Sequence, residues 1–207
     1  MEVLIPKWLP KLIKKAKQLG LTTMIVTNGS KLTDAFLKEN KPYLDWVALS
    51  VDSLEEKNNI NMGRAVTGKV PINKTTYYDL VDKVKKYGYG LKINTVVNMV
   101  NYNEDLTKFI EYANPKRWKV LQVLPIDGQN DSKIDDFKIT DSEFNHFLKT
   151  HQLVKTLVSE SNNDIKGSYV MIDPAGRFFD NVKGAHNYSK PILEVGIQEA
   201  LKTMNYN

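Results

Sequence analysis

Residues 91–128, LKINTVVNMVNYNEDLTKFIEYANPKRWKVLQVLPIDG, hold a strand, a helix and a second strand in succession. LKINTVVNMV and WKVLQVLPI are apolar runs rich in β-branched residues, and NEDLTKFIEYAN between them reads as a helix. A strand–helix–strand order of this kind implies parallel pairing through a helical crossover, and hence an α/β fold. The second strand is preceded by an oddity. Arg117 and Lys119 stand two apart, so on a strand they share one face while Trp118 and Val120 share the other. Lys92 and Asn94 do the same on the first strand. Buried cations need an anionic partner, so adjacent strands would form a wall of three cations and an amide suited to a polyanion such as a triphosphate.

Outward from this unit the same alternation continues. NKTTYYDLVDKVKKYGYG is a helix with Asn73 as its cap and Tyr77, Leu80, Val81 and Val84 facing inward. YLDWVALSVDS and LTTMIVTNGS are strands, with KLTDAFLKEN a short helix between them. A polar stretch from Leu54 to Pro71 has no periodicity and reads as a long or partly helical loop. MEVLIPKWLPKLIKKAKQLG is a basic amphipathic helix. Trp8, Leu9, Leu12, Ile13, Ala16 and Leu19 are expected on one side, covering the sheet or, as the lesser alternative, lying on a membrane surface. Downstream, TDSEFNHFLKTHQ is a helix capped by Thr140 or Asp141, with Glu143 available for a capping box. GSYVMIDPAGRFFDN is a hairpin about Asp173–Gly176, and KPILEVGIQEALKTM is a last helix. About four parallel strands are expected over residues 1–127, followed by a C-terminal extension over 128–207, in a single domain.

Composition sets limits. The 207 residues are 42% hydrophobic and 26% charged, with a net charge of +5, values ordinary for a globular protein and mildly favourable to anionic ligands. No run of 18 or more apolar residues marks a membrane span. Cysteine is absent, which excludes disulfides, zinc-thiolate sites and a thiol nucleophile, and three scattered histidines (His146, His151, His186) do not suggest a metal site. No P-loop, G-x-G-x-x-G or Ser-His-Asp pattern is present. Ligand sites in parallel sheets lie at the carboxyl ends of the strands. The turn Thr27–Ser30, the pair Ser50 and Asp52, and Arg64 in the long loop are therefore candidates beside the cationic wall. Tyr169 on the hairpin reads as core or as a residue that stacks on a base.

Taken together, TNGS, YLDWVALSVDS, MGR, LKINTVVN, NPKRWKVLQVLPIDGQN, ESNNDIKGSYVMID, GRFFDN and SKPILEVGIQEA resemble the viperin family of radical S-adenosylmethionine (SAM) nucleotide dehydratases, in the family's order and over essentially the whole chain. The resemblance implies a partial (βα)6 barrel and a SAM-dependent lyase of antiviral defence. Its substrate is a nucleoside triphosphate, CTP in animals and CTP, GTP or UTP in microbial relatives, converted to a 3′-deoxy-3′,4′-didehydro nucleotide. It further implies that Ser50 and Arg64 contact SAM, with Asn28 and Ser30 as weaker candidates, and that Lys92, Asn94, Arg117 and Lys119 hold the triphosphate and ribose. Tyr169 would be the catalytic hydrogen donor. Met1-Glu2-Val3 falls where the family has the tail of its SAM-amino motif, implying Glu2 as a further contact.

The departures also carry expectations. The family's Cys-x-x-x-Cys-x-x-Cys loop, which holds a 4Fe-4S cluster, has no counterpart in a cysteine-free chain. Both ends look cut. The chain by itself is therefore expected to be catalytically silent and cytoplasmic, binding a nucleoside triphosphate and no nucleic acid, with an open sheet edge that self-associates or takes a cluster-bearing partner in trans. The alternative is a cysteine-free paralogue that binds or senses nucleotides.

Overall fold

A computed structural model describes residues 6–64 and 70–206. The chain begins with α1 (Leu9–Gln18), β1 (Met24–Thr27), α2 (Asp34–Asn40), β2 (Trp46–Ser50), α3 (Glu56–Asn61), α4 (Lys74–Lys86), β3 (Gly90–Val97), α5 (Thr107–Ala113) and β4 (Arg117–Gln122). It continues with α6 (Asp141–Thr150), β5 (Leu157–Glu160), α7 (Asn162–Ile165), β6 (Met171–Ile172), β7 (Arg177–Asp180), β8 (Asn187–Pro191), α8 (Ile192–Val195) and α9 (Ile197–Lys202). The first five strands form one parallel sheet in the order β1-β2-β3-β4-β5, and β6-β7-β8 form a small antiparallel sheet. β1 and β5 are both edges, so among the described residues no barrel closes.

The sheet has one strand more than the about four expected. β5 is short, and its burial is irregular because Val158 and Ser159 are exposed, so it lacks the alternation that marks a half-buried strand. The hairpin expected about Asp173–Gly176 forms, but a third strand, β8, adds to it. The last helix divides into α8 and α9 at Gly196, whose φ of 83° only glycine adopts without strain.

Capping fixes the helix starts. Thr33 accepts from Phe36 N–H, Asn73 from Thr76 N–H, and Thr140 with Glu143 forms a reciprocal capping box. The inward residues of α4 are the expected Tyr77, Leu80, Val81 and Val84. In α1 the expectation fails: Leu9 and Ile13 enter the core, but Trp8, Leu12 and Leu19 stay exposed. Only a narrow stripe is covered, and Lys17 anchors the helix through an ion pair to Asp45 at 2.7 Å.

All the large core side chains of the parallel strands lie on one face. Ile25, Val47, Leu49, Ile93, Trp118 and Val120 pack there with the helices. Trp118 is fully buried; its Nε1–H donates to Thr95 Oγ1 at 3.0 Å, and Thr95 donates in turn to Val51 O at 2.7 Å. This relay links β4, β3 and the end of β2. The opposite face is more open at its β1 edge, where Met24 and Val26 are 46% and 45% exposed, while Ala48 and Lys119 on the same face are buried.

His151 locks α6 to α5 and gives the fold a pH dependence. Its buried ring has Nδ1 on Phe147 O at 2.8 Å, while Nε2 accepts from Leu106 N–H at 2.9 Å, which specifies the neutral ring. Burial pushes its pKa below the usual 6.5, only partly offset by the Phe147 carbonyl and Asp105. The unfolded chain therefore takes up a proton near pH 6.5 that the folded chain refuses until lower pH. Stability should be full above 6.5 and fall below it by up to about 1.4 kcal/mol per pH unit. Urea melts at pH 7.5 and 5.5 test this; a His151→Gln variant showing the same acid slope would rule the histidine out as its source.

Candidate functional site

The face of the sheet opposite the hydrophobic core is where the sequence-predicted strand residues meet. Register places Lys92 beside Arg117, Asn94 beside Lys119, and Ser50 beside Asn94, so β2, β3 and β4 contribute to one surface. These side chains point away from the core because strand parity puts their neighbours Ile93, Trp118 and Val120 into it.

The cations of this surface differ in kind. Lys119 is buried, at 7% exposure, and is answered within the protein: its ammonium pairs with Glu160 at the end of β5 and donates to Tyr169 Oη, with the tyrosine ring 4.6 Å away. Tyr169 Oη donates to the other Glu160 oxygen. Burial first, and then the Glu160 hydrogen bond, push the Tyr169 hydroxyl above its usual range. Lys92 is half-buried and Arg117 exposed, and neither has an ion pair among the described residues. Burial first, then the neighbouring Lys119 and Arg117, hold the Lys92 ammonium below the usual lysine range. A wall of three unmatched cations is thus corrected to two open cations and one neutralised lysine. The matching carboxylate escaped the sequence reading because it comes from β5; the β-branched run around Val154–Val158, just where the alternation calls for a strand, is the signal that marks it.

The carboxyl ends of the strands hold a second group. Asp52, fully buried beyond β2, accepts from Val96 N–H at 2.8 Å and pairs with Arg64, so Arg64 is held over the ends of β2 and β3. Burial raises the Asp52 pKa against the opposing Arg64 charge. A cavity of about 280 Å³ opens here, lined by Asp52, Met62, Arg64, Val96 and Asn98 among others. On the neighbouring strand, the turn after β1 is built from its own side chains: Gly29 N–H donates to Thr27 Oγ1 and Ser30 N–H to Asn28 Oδ1, each at 2.9 Å. Gly29, at φ 85°, sits where an added Cβ would strike Leu80, so the turn is packed as well as bent. Asn28 and Ser30 therefore stand at the correct end of the sheet, with the Asn28 carbonyl oxygen engaged in shaping the turn. Glu2 lies outside the described residues.

An iron–sulfur cluster does not fit these residues. The chain has no cysteine, and among the described residues no group of three or more His, Cys, Asp or Glu side chains can hold a metal ion. Nor is any helix of the described residues long and apolar enough to cross a membrane.

No family model matches the chain. Curated proteins do. It is 74% identical over 206 residues to the S-adenosylmethionine-dependent nucleotide dehydratase of Lacinutrix mariniflava, covering 100% of this chain and 43% of that protein. The protein of the same name from Flammeovirga pacifica is 50% identical over 200 residues, covering 97% of this chain and 69% of that protein. A Danio rerio counterpart is 38% identical over 192 residues, covering 88% and 52%. The chain thus spans 43% to 69% of the length of these relatives. Among solved structures, anSMEcpe with bound AdoMet and a peptide superposes with a TM-score of 0.69 at 15% identity, over 95% of this chain and 63% of that one. Streptococcus suis SuiB bound to S-adenosylmethionine gives 0.52 at 16% identity, over 73% and 35%. Identities this low show a shared fold and nothing finer.

Proposed function

The chain belongs to the viperin-like S-adenosylmethionine-dependent nucleotide dehydratases, and on that premise we propose that the sheet face opposite the core is the nucleoside triphosphate site of such an enzyme. The observation that carries this reading is the juxtaposition of Lys92 and Arg117, register partners on adjacent strands and neither in an ion pair among the described residues. A triphosphate supplies what they lack. In this reading residues 1–127 and 128–207 act as one unit, since Tyr169 reaches back from the C-terminal part to Lys119 and Glu160.

SAM is assigned to the carboxyl ends of the strands. Asp52 and Arg64 put a carboxylate and a guanidinium on one cavity, a donor set that suits a zwitterionic amino-acid group, and Ser50 and the Asn28–Ser30 turn stand at the carboxyl ends of β2 and β1. SAM when bound supplies the adenosyl group that the family's radical chemistry uses. The reaction of the family, conversion of CTP or a related triphosphate to its 3′-deoxy-3′,4′-didehydro form, is assigned to the assembly that includes cluster ligands, with Tyr169 as the proposed hydrogen-atom donor. The 207 residues by themselves bind and do not catalyse, because they offer no thiolate to a cluster. The reading places the protein in the cytoplasm, where nucleoside triphosphates are held. The β1 edge, which has no neighbouring strand among the described residues, is the place for a second copy or a partner strand.

Calorimetric titration of the 207-residue chain tests the binding half. CTP is expected to bind at least about tenfold more tightly than cytidine, with the difference shrinking as salt rises. Arg64→Ala should weaken SAM and leave CTP nearly unchanged. Equal affinity for CTP and cytidine would remove the triphosphate from this face.

A further inference from the structure

The Asp52–Arg64 cavity takes its shape from the loop that follows β3. Asn101 in that loop is buried, at 1% exposure, and both of its polar atoms are engaged. Its Nδ2 donates to Asp52 O at 2.7 Å and to Val96 O at 3.0 Å, and its Oδ1 accepts from Asn98 N–H at 2.8 Å. One Glu104 oxygen accepts from Leu54 N–H at 2.8 Å and the other from Asn58 Nδ2 at 3.3 Å. Asn98 Nδ2 donates to Met62 Sδ at 3.0 Å. The segment that ends at Arg64 is thus tied to residues 98–104 at Asp52, Leu54, Asn58 and Met62. Phe137, which also lines the cavity, is joined to the same loop, because Met99 N–H donates to Phe137 O at 3.0 Å.

These tethers matter because apolar burial does little for the segment. Among the described residues from Ser53 to Arg64, Leu54 is the one buried apolar side chain, and the buried residue of α3 is the polar Asn59. A helix of six residues does not persist without tertiary support. We infer that Asn101 and Glu104 are positioning residues that seat the Asp52–Arg64 segment over the strand ends and so shape the cavity for its ligand, which rests on the assignment of SAM to that cavity. Neither residue lines it. Asn101 fixes the backbone carbonyl of Asp52, whose carboxylate accepts from Val96 N–H and holds Arg64. Glu104 fixes the segment at Leu54 and Asn58, two turns of chain before Arg64. Removing either tether shifts the segment from seated towards released, and the apparent dissociation constant of a ligand that needs Arg64 rises as the seated fraction falls. The spacing of three in Asn98, Asn101 and Glu104 suits this task. Successive turns, with Tyr102 N–H on Asn98 O and Glu104 N–H on Asn101 O, carry all three side chains to the segment after β2.

The test uses the 207-residue chain with Asn101→Ala, Glu104→Ala, Arg64→Ala and the pair Glu104→Ala with Arg64→Ala. By calorimetry, Asn101→Ala and Glu104→Ala should each weaken SAM about tenfold. The pair should bind SAM no more weakly than Arg64→Ala alone, because Glu104 acts through Arg64; a residue that only stabilised the fold would add its loss to that of Arg64. Hydrogen exchange without ligand supplies the second readout. In Glu104→Ala the amides of residues 54–62 should exchange about tenfold faster or more, while those of β3, α5 and β4 keep their protection. That protection also reports a folded chain, so Glu104→Ala decides the matter even where Asn101→Ala fails to fold. SAM affinity in Glu104→Ala within about twofold of the wild type, additive losses in the pair, or unchanged exchange over residues 54–62 would each overturn the inference and leave the SAM assignment standing. An Arg64→Ala variant that binds SAM as the wild-type chain does, or a wild-type chain that binds none, would overturn the assignment and this inference with it.

Discussion

Lys92→Glu is expected to lower the affinity for CTP by about 100- to 1000-fold. Lys92 is the half-buried member of the open cation pair, so its interaction with a phosphate is screened less than that of exposed Arg117. Removing a charge-assisted hydrogen bond costs about 1.5–3 kcal/mol, and the reversed charge adds repulsion at contact distance. Together these reach two to three decades in the dissociation constant. Arg117→Glu should cost less, because water competes for an exposed guanidinium, and should flatten the salt dependence. Lys92→Gln, which removes the charge without reversing it, serves as the intermediate point of the series. If Lys92→Glu bound CTP within about threefold of the unaltered chain, with an unchanged melting temperature, the phosphates would have to lie elsewhere.

Trp118→Ala should destabilise the fold by about 3–5 kcal/mol, the usual cost of deleting a large buried aromatic side chain. Trp118 packs edge-on against Phe147 and His151, with centroids at 6.1 and 5.0 Å, and its Nε1–H begins the hydrogen-bond relay to Thr95 and Val51. The cavity loses those contacts and Thr95 Oγ1 loses its donor. A loss of this size is a large part of a typical stability of about 5–15 kcal/mol. Trp118→Phe keeps much of the packing but not the donor, and should fall between. The consequence for the site is indirect: Arg117 and Lys119 flank Trp118, and the strand that presents them is held in register from the core side. Urea denaturation measures the stability, and a loss under about 1 kcal/mol would show that the tryptophan is not a keystone of the sheet.

Much of this was legible in the residues. The β3–α5–β4 unit follows from β-branched runs around a helix, and Trp118 and Val120 face the core opposite Arg117 and Lys119 as period-two alternation requires. The capping box at Thr140 and Glu143 needs only a spacing of three. The failures are equally physical. β5 is a short edge strand with exposed residues, so pattern and burial do not coincide there. The exposed side of α1 is decided by which neighbours exist to cover it, which helical periodicity cannot report.

The candidate site divides along the same line. That Lys92 shares a face with Asn94, and Arg117 with Lys119, was determined by the sequence, because side-chain direction along a strand is a local property with a fixed period; that the two pairs meet on one surface needed β3 and β4 to be neighbours in register. Which of those cations stays available was decided only in three dimensions. Glu160 is 41 positions from Lys119 and Tyr169 is 50, and no local rule connects them. Parallel pairing of β5 with β4 brings Glu160 to the lysine, and the C-terminal segment returns Tyr169 over both. Coulomb energy depends on distance in space, not along the chain, so the sequence supplied the charges while the tertiary structure settled which of them cancel.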